Sequence, residues 1–147
     1  MIEIRHAGIV VTDLERALYF YCDLLGLKIL KSMEEKGAYL DNMLGCEDVL
    51  VTTVKLASGK GNAVLELLHF KSPPTPGAQT PGLFDLGPTH VAFTVEDLDV
   101  TFKRLARAGV PFNAPPQLSP DGLAKVTFCQ DPDGTFIELV EILEAND

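Results

Sequence analysis

A chain of 147 residues, 46% aliphatic and aromatic and 22% charged, is long enough to bury one good core and too apolar to remain disordered. Twelve basic against twenty-one acidic side chains leave a net charge of -9 with no local basic stripe, which argues against a nucleic-acid partner. There is no basic leader and no apolar run near the ~18 residues that cross a bilayer, so no membrane partner and a cytoplasmic location are expected.

The first predicted element is the strand HAGIVV, His6 to Val11. Thr12 with Glu15 three residues later fits a capping box, and Leu14, Ala17, Leu18, Tyr21, Cys22 and Leu25 follow at helical spacing before Gly26 offers a stop. Tyr19, Phe20 and Tyr21 belong to this helix and are expected to pack in the core or between helix and sheet. Strand-like runs come next at 26–33, 49–57 and 63–70, with an irregular stretch at 34–48. Residues 71–88 carry five prolines and read as a linker.

The pattern then starts again. Aligning His6 with His90, an offset of 84, sets Val11 on Val95, Asp13 on Asp97 and Leu14 on Leu98. Leu98, Thr101, Phe102, Leu105 and Ala106 form a second helical stripe that Gly109 ends. Further strands are expected at 110–112, 123–130 and 135–143, and 113–122 reads as irregular. Asp131-Pro132-Asp133-Gly134 has the chemistry of a tight hairpin between the last two strands. Each half therefore reads β-α-β-β-β. The cysteines Cys22, Cys46 and Cys129 are odd in number and widely spaced, so each is expected to be a reduced, packed thiol.

Strand alternation sets His6, Gly8 and Val10 on one face, and His90, Ala92 and Thr94 on the equivalent face of the second half. A small residue two positions after each histidine leaves space beside the imidazole. The last strand of each half carries a carboxylate inside an apolar run, Glu66 and Glu138, and such a group needs water, a hydrogen-bond partner or a cation. Two histidines and two glutamates in equivalent places suggest one divalent metal ion between the modules, with Zn, Ni, Co, Mn or Fe suited to imidazole and carboxylate donors. His69 and Glu141 lie three residues beyond the two glutamates, so alternation turns both away: His69 reads as structural and Glu141 as solvated.

His6-x-Gly8-Ile9-x-Val11 with Asp13-Leu14-Glu15-x-Ala17, Phe20-Tyr21 and Leu24-x-Gly26-Leu27 resembles the first module of the vicinal oxygen chelate superfamily. That group includes glyoxalase I, methylmalonyl-CoA epimerase, extradiol dioxygenases, and fosfomycin and bleomycin resistance proteins. His90-Val91-Ala92-Phe93-x-Val95-x-Asp97-Leu98 and Asp131-Pro132-Asp133-Gly134-x-x-Ile137-Glu138-Leu139 resemble the second. The resemblance implies an α+β fold in which two paired βαβββ modules, 1–70 and 89–147, form a cupped mixed sheet with helices on the outside, a single domain over 1–147. It implies that His6, Glu66, His90 and Glu138 ligate the metal, and that Glu138 or Glu66 doubles as the base that moves a proton alpha to a carbonyl through a metal-chelated enolate.

A lyase or isomerase of the glyoxalase I-like type, acting on a small-molecule substrate, is the leading expectation. The alternatives are a ring-cleaving extradiol-type dioxygenase, against which a glutamate at position 66 argues mildly, and a non-catalytic protein that sequesters a ligand or antibiotic. A homodimer is expected, since paired sheets of this kind leave edges to cover. The basic residues Arg16, Lys28, Arg104, Arg107 and Lys125 are too scattered to identify a substrate charge.

Overall fold

The computed structural model describes residues 1–77 and 81–144; residues 78–80 of the expected linker and 145–147 lie outside the described residues. The chain divides into two compact units, Met1–Ala78 and Gln79–Asp147. The first contains β1 (Ala7–Val10), α1 (Leu14–Leu18) continued by a π-helical segment (Tyr19–Leu24), β2 (Lys28–Lys36), α2 (Ala38–Leu44), β3 (Leu50–Ala57) and β4 (Val64–Ser72). The second contains β5 (His90–Thr94), α3 (Leu98–Arg107), β6 (Gln117–Leu118), β7 (Ala124–Gln130) and β8 (Phe136–Ile142). Each unit holds one four-stranded mixed sheet, ordered β1-β4-β3-β2 and β5-β8-β7-β6, so the fold is of the mixed α+β class. In both, the first strand runs parallel to the last and the other pairings are antiparallel.

Alternation gives each sheet a buried and a more open face. In the first, Val54, Leu56, Leu65 and Leu67 share a face and are all buried, as are Ala17, Phe20 and Tyr21 of the helical segment. Ile137, Leu139 and Cys129 do the same in the second, with Leu98 and Leu105 of α3. Each large side chain removed from water this way stabilises the unit by about 1.5–3 kcal/mol. Tyr19 departs from expectation and is exposed, because the segment turns only Phe20 and Tyr21 inward.

Four local readings are corrected. Asp13, not Thr12, caps α1: its carboxylate accepts from the Arg16 amide at 3.0 Å, and Asp97 caps α3 in the same way through Val100 at 2.9 Å. The stretch 34–48 is not irregular, since β2 runs to Lys36 and α2 occupies Ala38–Leu44. Gly37 and Gly45 flank that helix at φ of 112° and 66°, conformations that side chains resist, and buried Leu40 anchors it to Val49 and Val51. The expected strand at 110–112 gives way to a single bridge, Phe112 to Cys129; β6 at Gln117–Leu118 takes the fourth place in the sheet. Of the three cysteines, Cys129 is packed as expected and Cys46 is exposed.

The expected turn at 131–134 forms. Buried Asp131 accepts from the amides of Asp133 and Thr135 through one carboxylate oxygen, both at 2.9 Å, and Gly134 adopts a φ of 88°. Among the described residues no helix is long and apolar enough to cross a membrane.

Candidate functional site

The parallel strand pairs position the candidate residues. Gly8 on β1 lies opposite Glu66 on β4, and Ala92 on β5 lies opposite Glu138 on β8. Opposed residues share a face, and a histidine two positions earlier on the first strand falls on that face too. His6 and His90 accordingly reach the same glutamates: His6 Nε2 stands 3.8 Å from Glu66 Oε1, and His90 Nε2 stands 3.3 Å from Glu138 Oε2. The glutamate side chains are 15% and 23% exposed, the histidines 33% and 39%, so each carboxylate is sheltered and each imidazole still meets solvent. Within either unit taken alone, no third His, Cys, Asp or Glu among the described residues joins the pair.

The surroundings of the two pairs differ. His90 Nδ1 is 2.9 Å from Thr89 Oγ1, and its ring packs edge-on against Phe128 at 5.3 Å between centroids. Phe128 is also the direct cross-strand neighbour of Glu138. In the first unit the neighbour of Glu66 on β3 is Lys55. Farther along the same face, the α2 side closes over Val51, Leu68 and Phe70, and a cavity of about 480 Å³ opens between Val10, Cys46, Val49, Phe70 and the Pro73–Pro76 stretch. The Thr75 hydroxyl in that lining is buried without a hydrogen-bond partner.

His69 pairs with Thr52 on the opposite face, as alternation predicts. Glu141 also faces away from Glu138, but it is not simply solvated: its Oε2 accepts from the Leu98 amide at 2.9 Å and so secures the start of α3. Phe128 and Lys55 escaped the sequence reading because their relation to the glutamates depends on cross-strand register, and Thr89 escaped it because its bond to the adjacent His90 depends on side-chain orientation.

Two β-α-β-β-β units, each with a histidine and a glutamate at one register, define a class of repeated-module α+β proteins. The chain belongs to the Glyoxalase/Bleomycin resistance protein/Dioxygenase superfamily, whose family model matches residues 3–139. It is 29% identical over 144 residues to a probable lactoylglutathione lyase of Synechocystis sp., covering 97% of each chain. A glyoxalase family protein from Bacillus cereus superposes with a TM-score of 0.88 at 25% identity, covering 98% of this chain and 96% of the other. The trypanothione-dependent glyoxalase I of Leishmania major superposes with a TM-score of 0.68 at 26% identity, covering 96% and 87%.

Proposed function

We propose that the protein is a divalent-metal-dependent lyase or isomerase of the glyoxalase I-like type, moving a proton alpha to a carbonyl. The observation that supports this most is the recurrence of a His–Glu pair at the same strand register in both units. His6, Glu66, His90 and Glu138 fit a borderline divalent ion such as Zn, Ni, Co, Mn or Fe, because each pair offers one imidazole nitrogen and a sheltered carboxylate aimed at each other. A proton held on His90 Nδ1 toward Thr89 Oγ1 leaves the Nε2 lone pair on the side of Glu138, the tautomer a metal ligand needs. Bound there, the metal supplies Lewis-acid stabilisation of negative charge on the substrate oxygens.

The chain's own groups do the rest. A carboxylate oxygen of Glu138 or Glu66 takes the proton from the carbon alpha to the carbonyl and returns it to the neighbouring or the same carbon. Both glutamate side chains are sheltered, which limits the contact of the carboxylates with bulk water. The same reading includes one domain over 1–147, with module 1–70, linker 71–88 and module 89–147, working as a cytoplasmic homodimer; sedimentation at the mass of one chain would contradict the dimer.

The Synechocystis relative is a probable lactoylglutathione lyase, so hemithioacetals are the first substrates to assay, followed by acyl-CoA thioesters and catechols. Protein purified without chelator should carry about one divalent ion per His6–Glu66–His90–Glu138 set. His6→Ala and Glu138→Ala should each lose it together with turnover. Full activity and unchanged metal content in both variants would reject the proposal. The apolar cavity beside Val10 and Phe70 favours one second reading, ligand binding without chemistry. It predicts tight binding of an apolar ligand that a chelator leaves unchanged.

A further inference from the structure

The two units differ along the row of residues that carries the repeated glutamate. Across the second sheet the row reads Ala92, Glu138, Phe128. Across the first it reads Gly8, Glu66, Lys55, Lys31. Directly opposed residues of neighbouring strands share a face, so both lysines project from the face that carries Glu66. Strands are spaced about 4.8 Å apart, which puts Lys55 one step and Lys31 two steps from the glutamate.

Neither lysine has a hydrogen-bond or ion-pair partner among the described residues. Glu66, the nearest carboxylate by register, is engaged by His6 instead. Lys55 and Lys31 are themselves opposite one another, and like charges in that relation destabilise a sheet. In a chain of net charge -9, an unneutralised cationic pair beside a sheltered carboxylate opposes the overall sign. An anion between the two ammonium groups removes the repulsion. The far end of this face is closed by the Leu40, Val49 and Val51 cluster with Leu68 and Phe70, so the lysines occupy its open end. In the second unit the equivalent neighbour is the ring of Phe128, which offers an anion nothing.

We propose that Lys55 and Lys31 bind an oxyanion, a carboxylate or a phosphate, carried by the substrate within a few bonds of its reacting carbonyl. This rests on the reading of Glu66 as a residue of the reacting centre. One and two strand spacings, with a lysine side chain to bridge them, leave room for a short acidic compound directly beside Glu66. The substrate class is thus a small carbonyl compound with its own acid group, oriented by the two lysines beside Glu66.

The test uses the intact protein freed of metal, so that an anion cannot be held by chelation, with malonate, inorganic phosphate and the neutral diamide malonamide as probes. Wild-type protein should bind malonate or phosphate, raising its melting temperature and shifting the Lys55 and Lys31 side-chain resonances, and should ignore malonamide. The tighter of the two anions identifies the source of the oxyanion. Lys55→Gln and Lys31→Gln should each weaken that binding about five- to tenfold, and both should melt above the wild type when no anion is present. Absence of anion binding by the wild type, or undiminished binding by Lys55→Gln, overturns the proposal. Because the measurement needs neither metal nor turnover, failure of the metal-dependent activity would leave its outcome readable.

Discussion

Gly8 lies directly across a parallel strand pair from Glu66, and a Cβ built on it would stand 3.2 Å from Leu68 Cδ1. The obstacle is the flexible end of a side chain, and the repeat partner of Gly8 is Ala92. Gly8→Ala should therefore be accepted with a loss below about 1 kcal/mol, Leu68 moving by a few tenths of an ångström. Gly8→Val adds two branches against Leu68 and beside Glu66 and should cost about 1–3 kcal/mol. Denaturant midpoints measure both, and equal midpoints for the two variants would contradict this account of the space.

Helix α3 is secured at its start from two directions. The Asp97 side chain accepts from Val100, and Glu141 accepts from the Leu98 amide across 43 residues of sequence. Asp97→Ala should cost about 1 kcal/mol, as other lost caps do. Glu141→Ala leaves a half-buried amide without its acceptor and should cost about 1–2 kcal/mol, whereas Glu141→Gln keeps an oxygen in place and should cost less. Since both groups serve one helix end, the double variant should fall short of the summed losses. A Glu141→Ala protein as stable as wild type would mean that the Leu98 contact carries no weight.

Much of this architecture was legible because the chain repeats itself. His6 with His90 and Glu66 with Glu138 stand out only in comparison; alternation groups Gly8 with His6 and Ala92 with His90, and the sheets set Gly8 opposite Glu66 and Ala92 opposite Glu138. The N-cap was misread because Thr12 and Asp13 are both good caps. Position 96 is a glutamate, so the one capping residue the two copies share is Asp13 with Asp97, and that signal was available. Helix α2 was not legible: it spans only Ala38–Leu44, too short for a period to show, and depends on Leu40 reaching Val49 and Val51 and on Asp41 accepting from the amides of Asp48 and Val49. The Lys55–Lys31 row was hidden for another reason. Alternation assigns faces within a strand, but which residues stand opposite depends on register, and a bulge between Ile29 and Lys31 shifts it.

The turn between β6 and β7 supplies a pH-dependent contribution. Asp121 Oδ1 accepts from the Ser119 hydroxyl at 2.6 Å and from the Leu123 amide at 3.0 Å, and these bonds hold its carboxyl below the ordinary value of 3.8. A pKa lowered on folding adds stability that is complete above the unfolded value and lost as pH falls through the folded one. The Leu123 and Ala124 amides should keep their protection at pH 5 and lose it in strong acid. Asp121→Asn should remove that dependence. A carboxyl titration by NMR with its midpoint at or above 3.8 would contradict the bonding.

The thiols provide a further measurement, because burial separates them more sharply than sequence position does. Cys129 is fully buried on β7, and removal from water, followed by the nearby Asp131 carboxylate, pushes its thiol up to about 12. At neutral pH it remains protonated, and the thiolate is the form that attacks a labelling reagent. Cys46 is exposed just after α2, bonded only weakly to the Leu44 carbonyl at 3.5 Å, and lines the apolar cavity. A maleimide should therefore modify Cys46 first and leave Cys129 untouched until the protein unfolds. An apolar ligand seated in the cavity should slow labelling at Cys46 without changing Cys129. Mass spectrometry of peptides from partly labelled protein reads both rates, and prompt labelling of Cys129 in native protein would show that its strand opens far more readily than its burial implies.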